Sequence, residues 1–407
     1  GSAASAALRS LAPVNVPPNG RLARSVVSVA EALANHLQHF YLSFAPELSL
    51  PDGVRPGLER FTPLTGSSFG PALAARVALL PVIGILAGKW PNSLALLPGG
   101  STRPVDASEL LRALGAVQEL TEFLETRLLG DRTEAWLGLR GAGDLTEWLR
   151  APAHRESDLG AFVLEALERG LDGIGRGPGA WLSCGGWESA DGEPWLRPGY
   201  HDGSRQVVSF ERVIEHTKHS WFEAASSGHP AEATTIPAPD RAEAYSWAKA
   251  PRYGGRPVET GPLARMICDG DPLIGDLVAV RGPGVFVRVL ARLHETVRLA
   301  VQLRAWLQAI DPKRRFYREC VLPAEGTGMA AVEAPRGTLL HWLRIREGKI
   351  VHYQIVTPTA WNFSPRDDAD VPGPVESALE GLPAGEGCRG AAYVVRSFDP
   401  CLYCSVH

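Results

Sequence analysis

Cysteine is scarce in these 407 residues, and the scatter of its six copies excludes a secreted disulfide framework. Cys184, Cys268, Cys320 and Cys388 stand singly, so the one close pair, Cys401 and Cys404, has no second pair with which to build a four-ligand structural zinc site. A cysteine cluster for iron-sulfur centres is missing, as is a glycine-rich nucleotide loop after a strand, so the chain brings no electron-accepting cofactor of its own. Charge of one sign is not in excess. The net charge of −4, with no basic stripe interleaved with aromatics, excludes nucleic acid as a partner. Apolar runs such as 77–88 are short and interrupted by Pro81, so no membrane-spanning helix is predicted, and no internal repeat is present.

What is there suits a large buried interior: 45% of the residues are hydrophobic and 21% charged. From Leu22 through Val26, Val29, Leu33, Leu37, Phe40 and Phe44, apolar residues recur every three or four positions, tracing a helix that ends before Pro46. His36 and His39 lie on or beside that face and read as hydrogen-bonded core residues. A second helix starts at a capping box, Asp106 to Glu109, and runs to Gly130, and a third covers roughly 285–310. The stretch 339–356 reads as two strands turning at Glu347-Gly348, with 358–366 on the loop beyond. Stretches 173–179 and 372–390 read as surface excursions. The predicted class is α+β, mainly α, a central bundle of long helices with small peripheral sheets, folded as one interdigitated domain over 1–407.

The chain ends in Asp399-Pro400-Cys401-Leu402-Tyr403-Cys404-Ser405-Val406-His407. Two thiolates three apart and a histidine three further on form a compact donor set, able to present both sulfurs to one ion or to two adjacent ions. A thioredoxin-like dithiol should open a long helix, yet only three residues follow Cys404. An incidental tail conflicts with the Asp-Pro entry and the apolar Tyr393-Val394-Val395 before it.

This ending resembles the carboxy-terminal motif of nickel-iron hydrogenase large subunits, a family whose precursor is cut just after that histidine. Further likenesses follow in family order: Asn15-Val16-Pro17-Pro18-Asn19 leading to His36-Leu37-Gln38-His39-Phe40-Tyr41, Gly88-Lys89-Trp90-Pro91, His219-Ser220-Trp221 and Tyr245-Ser246-Trp247-Ala248-Lys249-Ala250-Pro251-Arg252-Tyr253. They continue through Glu259-Thr260-Gly261-Pro262-Leu263-Ala264-Arg265, Glu333-Ala334-Pro335-Arg336-Gly337 and Pro358-Thr359-Ala360-Trp361-Asn362-Phe363-Ser364-Pro365-Arg366-Asp367. The segments 39–47 and 395–398 look closest to the hydrogen-sensing and cyanobacterial-type uptake branch.

The resemblance implies the family's large-subunit fold and a nickel-iron centre with small diatomic CO and CN ligands on iron. It makes Cys401 a terminal nickel ligand and Cys404 the nickel-iron bridge. His407 would bind a third cation, commonly magnesium, with Glu259 and Lys249 in the outer shell of that cation; the alternatives are a solvent-exposed terminal His407 and an exposed Glu259–Lys249 ion pair. Arg366 would hang over the open metal position and polarise it, with Pro365 shaping the pocket and Asp399 anchoring the arginine; its guanidinium does not lose its proton easily. The alternative for Arg366 is a surface pair with Asp367. The family takes two further thiolates from an amino-terminal Cys-x-x-Cys, which this sequence does not contain, so that region is expected on a preceding segment or a separate polypeptide. Two positions depart from many relatives: Asn35 stands where they have Asp, and Asn92 where they have His.

The implied activity is heterolytic splitting of molecular hydrogen, with electrons passed to a small subunit carrying iron-sulfur clusters. Two other readings stand beside it: a hydrogen sensor signalling to a kinase, and a metal-free assembly scaffold. The implied setting is cytoplasmic, peripheral to the inner membrane through partner subunits.

Overall fold

A computed structural model describes residues 2–12, 14–49, 56–382 and 388–401. Its centre is the 25-residue helix Val285–Ala309, which packs against the helices Pro18–Gln38, Ala107–Phe123 and Pro262–Asp269. The sequence pattern predicts one inward face for this helix. Over 285–297 it is instead surrounded, and Arg288, Arg292, His294 and Glu295 are buried along with Phe286, Val289, Leu293 and Val297, while Val301 beyond them is exposed. Charged side chains so placed must find partners inside the protein.

The Pro18–Gln38 helix begins with proline in its first turn, where the missing N–H costs nothing, and buries Leu22, Val26, Val29, Leu33 and Leu37. It then widens into a π-helical turn, His39–Phe44. Helix Ala107–Phe123 carries the expected capping box, Asp106 Oδ1 accepting from the Glu109 N–H at 2.8 Å and the Glu109 carboxylate from the Asp106 N–H at 3.1 Å. A second π-helical turn, Leu124–Leu129, extends it to Gly130, where φ is +64°. A Cβ there would lie 2.3 Å from the Ala153 carbonyl, so only glycine closes this end.

Three antiparallel strands, Gly326–Ala334, Gly337–Arg346 and Lys349–Val356, form a meander in chain order. The last two are the expected hairpin, turning on Glu347 and Gly348, both at positive φ. The first was not legible, because its glycines and alanines show no alternation. Between the first two strands Pro335 and Arg336 form the tip. Gly337 follows at φ +133°, where a Cβ would meet Thr260 Oγ1 at 2.4 Å, so a bare glycine lets the tip press onto Thr260. Residues 358–362 form a short helix capped by Thr357 rather than a loop, and the chain is irregular from Phe363 to Gly373.

The apolar run around Pro81 also differs from expectation. Helices Phe69–Ala78 and Leu80–Ala87 follow one another, and together Phe69–Ala87 is long and apolar enough to cross a membrane by length and composition. Here they pack on the Pro18–Gln38 and Ala107–Phe123 helices and bury Leu79, Val82, Ile83 and Leu86. The largest core cluster joins residues from Leu22 to Phe398, so the two ends of the described chain share one interior.

Candidate metal centre

Helix Arg389–Ser397 delivers the carboxy-terminal segment into that interior. Its entry is fixed by side chains from the π-helical turn region: His39 Nε2 lies 2.6 Å from the Arg396 carbonyl, and Arg396 donates to the Ser43 carbonyl at 3.0 Å. Phe398 packs under Arg288, whose guanidinium carbon is 3.8 Å from the ring centroid. Asp399 follows, buried and at φ +57°, a left-handed conformation that a non-glycine residue keeps only when its surroundings impose it. Cys401 is half-buried, its N–H donating to Thr359 Oγ1 at 3.3 Å. Cys404 and His407 lie outside the described residues, and among the described residues no group of three or more His, Cys, Asp or Glu side chains is arranged to hold a metal.

What imposes the Asp399 conformation is a ring of polar groups. Arg292 Nη1 lies 3.2 Å from Oδ2, and Arg336 Nε lies 3.2 Å from Oδ1 while donating to the Asp399 carbonyl at 3.0 Å. In the amide orientation that satisfies both neighbours, Asn35 closes the ring, its nitrogen donating to Asp399 Oδ2 at 3.0 Å and its oxygen accepting from Arg336 Nη2 at 3.1 Å. Burial alone would raise the Asp399 carboxyl. Arg292, with His39 and Arg336, outweighs it and holds the group below its ordinary value.

Behind this ring runs a second layer of buried charge. Arg265 grips Glu295 with two bonds of 2.6 Å, and its other edge donates to Glu333 at 2.8 Å and to the carbonyls of Ala334 and Pro335. Burial would raise Glu295, yet Arg265 and the His36 contact hold it far below the carboxylate range. His36 spans from Glu295 to Arg292, and burial pushes its ring down to about 4. Burial also lowers His39 to about 3 and Arg292 to about 10.

These positions correct part of the sequence reading. Arg366 is not anchored by Asp399: its side chain is 40% exposed, and it pairs with Glu380 at 3.0 Å and with the Asp370 carbonyl at 2.7 Å. Nor does it pair with Asp367. The chain turns sharply after the buried Pro365, so Asp367 points inward to Arg252 at 2.8 Å while Arg366 points outward. The arginine that meets Asp399 is Arg336, from the Glu-Ala-Pro-Arg-Gly segment, which the sequence flagged without giving it a role. Glu259 and Lys249 are both buried but in separate pairs, Glu259 with Arg288 at 2.7 and 3.0 Å, Lys249 with Glu215 at 3.7 Å. Through Arg288 and Phe398, Glu259 is tied to the carboxy-terminal segment. Asn35 is the departure that matters here, since it sits between Asp399 and Arg336. His36 and His39 are hydrogen-bonded core residues, as expected.

Comparison with known proteins bears on the family and the fold. Residues 199–407 match the family model described as nickel-dependent hydrogenase. Over 97% of its length the chain is 30% identical to the periplasmic [NiFeSe] hydrogenase large subunit of Desulfomicrobium baculatum, of which it spans 79%. It is 29% identical to the hydrogenase-2 large chain of Escherichia coli over 80% of its length, spanning 62% of that chain. A reduced, active form of the Ni-Fe-Se hydrogenase from Desulfomicrobium baculatum superposes on the whole chain and on 86% of its own with a TM-score of 0.84 at 28% identity. None of these names belongs to a hydrogen sensor, so the narrower resemblance to that branch has no support from them. The chain belongs to the nickel-dependent hydrogenases, oxidoreductases that act on molecular hydrogen.

Proposed function

We propose that this chain is the large, metal-holding subunit of a hydrogen-oxidising enzyme, with Cys401 and Cys404 as thiolate ligands and Arg336 as the cation that polarises the space beside them. The observation that carries the reading is the Arg336–Asp399–Arg292 ring two residues before Cys401. Soft thiolates suit nickel and low-valent iron, and a sulfur with spare lone pairs can bridge two metals. The surroundings fit such a group: His39 Nδ1 and Arg292 Nε, both on side chains that converge on Asp399, are buried polar atoms with no hydrogen-bond partner among the described residues. When bound, a nickel-iron centre with diatomic ligands supplies the heterolytic cleavage of hydrogen.

The protein's own share is positioning and charge. Arg336 presents a fixed guanidinium to the site, as a charge-stabilising donor must. Asp399 holds that guanidinium by carboxylate and carbonyl together, and Asn35 fills the remaining edge without adding negative charge. Two thiols are half of the four-sulfur set that the family resemblance implies, so a second cysteine pair completes the donor set. His407 is proposed to take a magnesium ion, with the Glu259–Arg288–Phe398 contact steadying the approach to it. Electrons leave through a partner small subunit carrying iron-sulfur clusters, because this chain has no motif to accept them.

The test is hydrogen-dependent reduction of an artificial dye by the purified complex, together with nickel and iron analysis. Turnover with bound nickel and iron is expected. Nickel-free protein contradicts the reading, and slow turnover coupled to a kinase favours the sensor.

A further inference from the structure

The ring of His36 bridges two charged residues of one helix. Nε2 lies 2.9 Å from Glu295 Oε2, and Nδ1 lies 2.8 Å from Arg292 Nη1. Both partners dictate where the ring proton sits. A guanidinium can only donate, so Nδ1 must be a bare acceptor; a carboxylate can only accept, so Nε2 must carry the hydrogen. Glu295 cannot swing away, because Arg265 holds both its oxygens at 2.6 Å. Arg292 in turn reaches Asp399 at 3.2 Å through the same Nη1, and among the described residues its Nε has no hydrogen-bond partner, so there its orientation rests on two contacts, His36 and Asp399.

We propose that His36 is a positioning residue for the metal centre: as the neutral Nε2–H tautomer it aims Arg292 at Asp399 and thereby fixes the left-handed turn that leads into Cys401. The inference rests on the reading of Cys401 as a metal ligand. A second proton on the ring would set N–H against N–H at Arg292, and burial guards against it by lowering the ring's affinity for protons. An apolar residue of similar size supplies neither contact. Glutamine supplies both, with an acceptor oxygen for Arg292 and an N–H for Glu295 on one planar head.

His36→Gln and His36→Met test this in the complete enzyme, purified with its partner chains and compared at equal nickel content. The glutamine variant should keep the Arg292–Asp399 contact in its crystal structure and retain most of the activity. The methionine variant should lose the contact and about a hundredfold in kcat, with KM little changed. The proposal is overturned if the contact survives in His36→Met, or if both variants lose activity alike. Should His36→Met not accumulate as folded protein, selective ¹⁵N labelling of the wild-type ring decides: the Nε2–H tautomer at neutral pH supports the proposal, and the Nδ1–H tautomer or a doubly protonated ring overturns it. Absence of nickel from wild-type protein would instead contradict the metal-centre reading, leaving the crystallographic and ¹⁵N results to judge His36 separately.

Discussion

Nε of Arg336 donates to the main-chain carbonyl of Asp399 at 3.0 Å and lies 3.2 Å from its carboxylate, so one guanidinium grips both the backbone and the side chain of the residue two before Cys401. The contact joins the tip of a β-hairpin to the carboxy-terminal segment. It also separates Arg336 from Arg366, two arginines that both follow a proline in conspicuous motifs.

The two arginines should behave differently on substitution. Arg336→Lys keeps the charge but not the two-edged grip, and a loss of about a hundredfold or more in hydrogen-dependent dye reduction is expected. Arg366→Ala removes a half-exposed pair with Glu380 and should change stability by about 0–1 kcal/mol, with activity retained. Rates measured at equal nickel content check both.

The Arg265–Glu295–His36 layer is fully buried, so removing the carboxylate that Arg265 and His36 share takes the acceptor from His36 and leaves Arg265 with Glu333 as its one buried counter-charge among the described residues. Glu295→Ala is expected to cost about 3–5 kcal/mol, read as a lower urea midpoint. A change of less than about 1 kcal/mol would mean that the carboxylate is not the keystone of that layer.

Acid should weaken the protein through its buried histidines. Burial lowers His36 to about 4 and His39 to about 3, whereas in the unfolded chain both take up protons near about 6.5. Between those values the unfolded state binds more protons than the folded one, so stability falls as pH drops below about 6.5 and is unaffected by these groups above it. Each unit of depression is worth about 1.4 kcal/mol. Urea midpoints taken from about pH 7 to about pH 5 should decline, and more shallowly in His36→Gln. An equal slope in that variant would remove His36 from the account.

Asp106→Ala removes a carboxylate that accepts the Glu109 N–H at the start of the Ala107–Phe123 helix. About 1 kcal/mol of stability should be lost with no change in turnover, measurable as a small drop in melting temperature.

Helix positions were legible where local chemistry decides them. The capping box at Asp106, the stop at Gly130 and the turn at Glu347-Gly348 each follow from a residue's own conformational needs, whereas Pro46 does not end the first helix but opens one further turn, Pro46–Ser49. The ring around Asp399 was not legible in the same way. It draws Asn35, Arg292 and Arg336 from three distant segments, and nothing local to Arg366 or Arg336 says which one meets the carboxy terminus. Arg366 follows the buried Trp361 and Pro365, but its neighbour Asp367 takes the inward position through Arg252. The Gly326–Ala334 strand escaped for a related reason: Gly328, Ala330 and Ala331 carry no alternating pattern, and the strand exists because its neighbour pairs with it.

The account's central claim is that the carboxy-terminal thiols hold the metal. Elemental analysis of the complex carrying Cys401→Ser and Cys404→Ser together tests it most directly. Nickel should be present in the wild type and absent from the double variant, while the chain keeps its helical content. Undiminished nickel in the variant would contradict the claim.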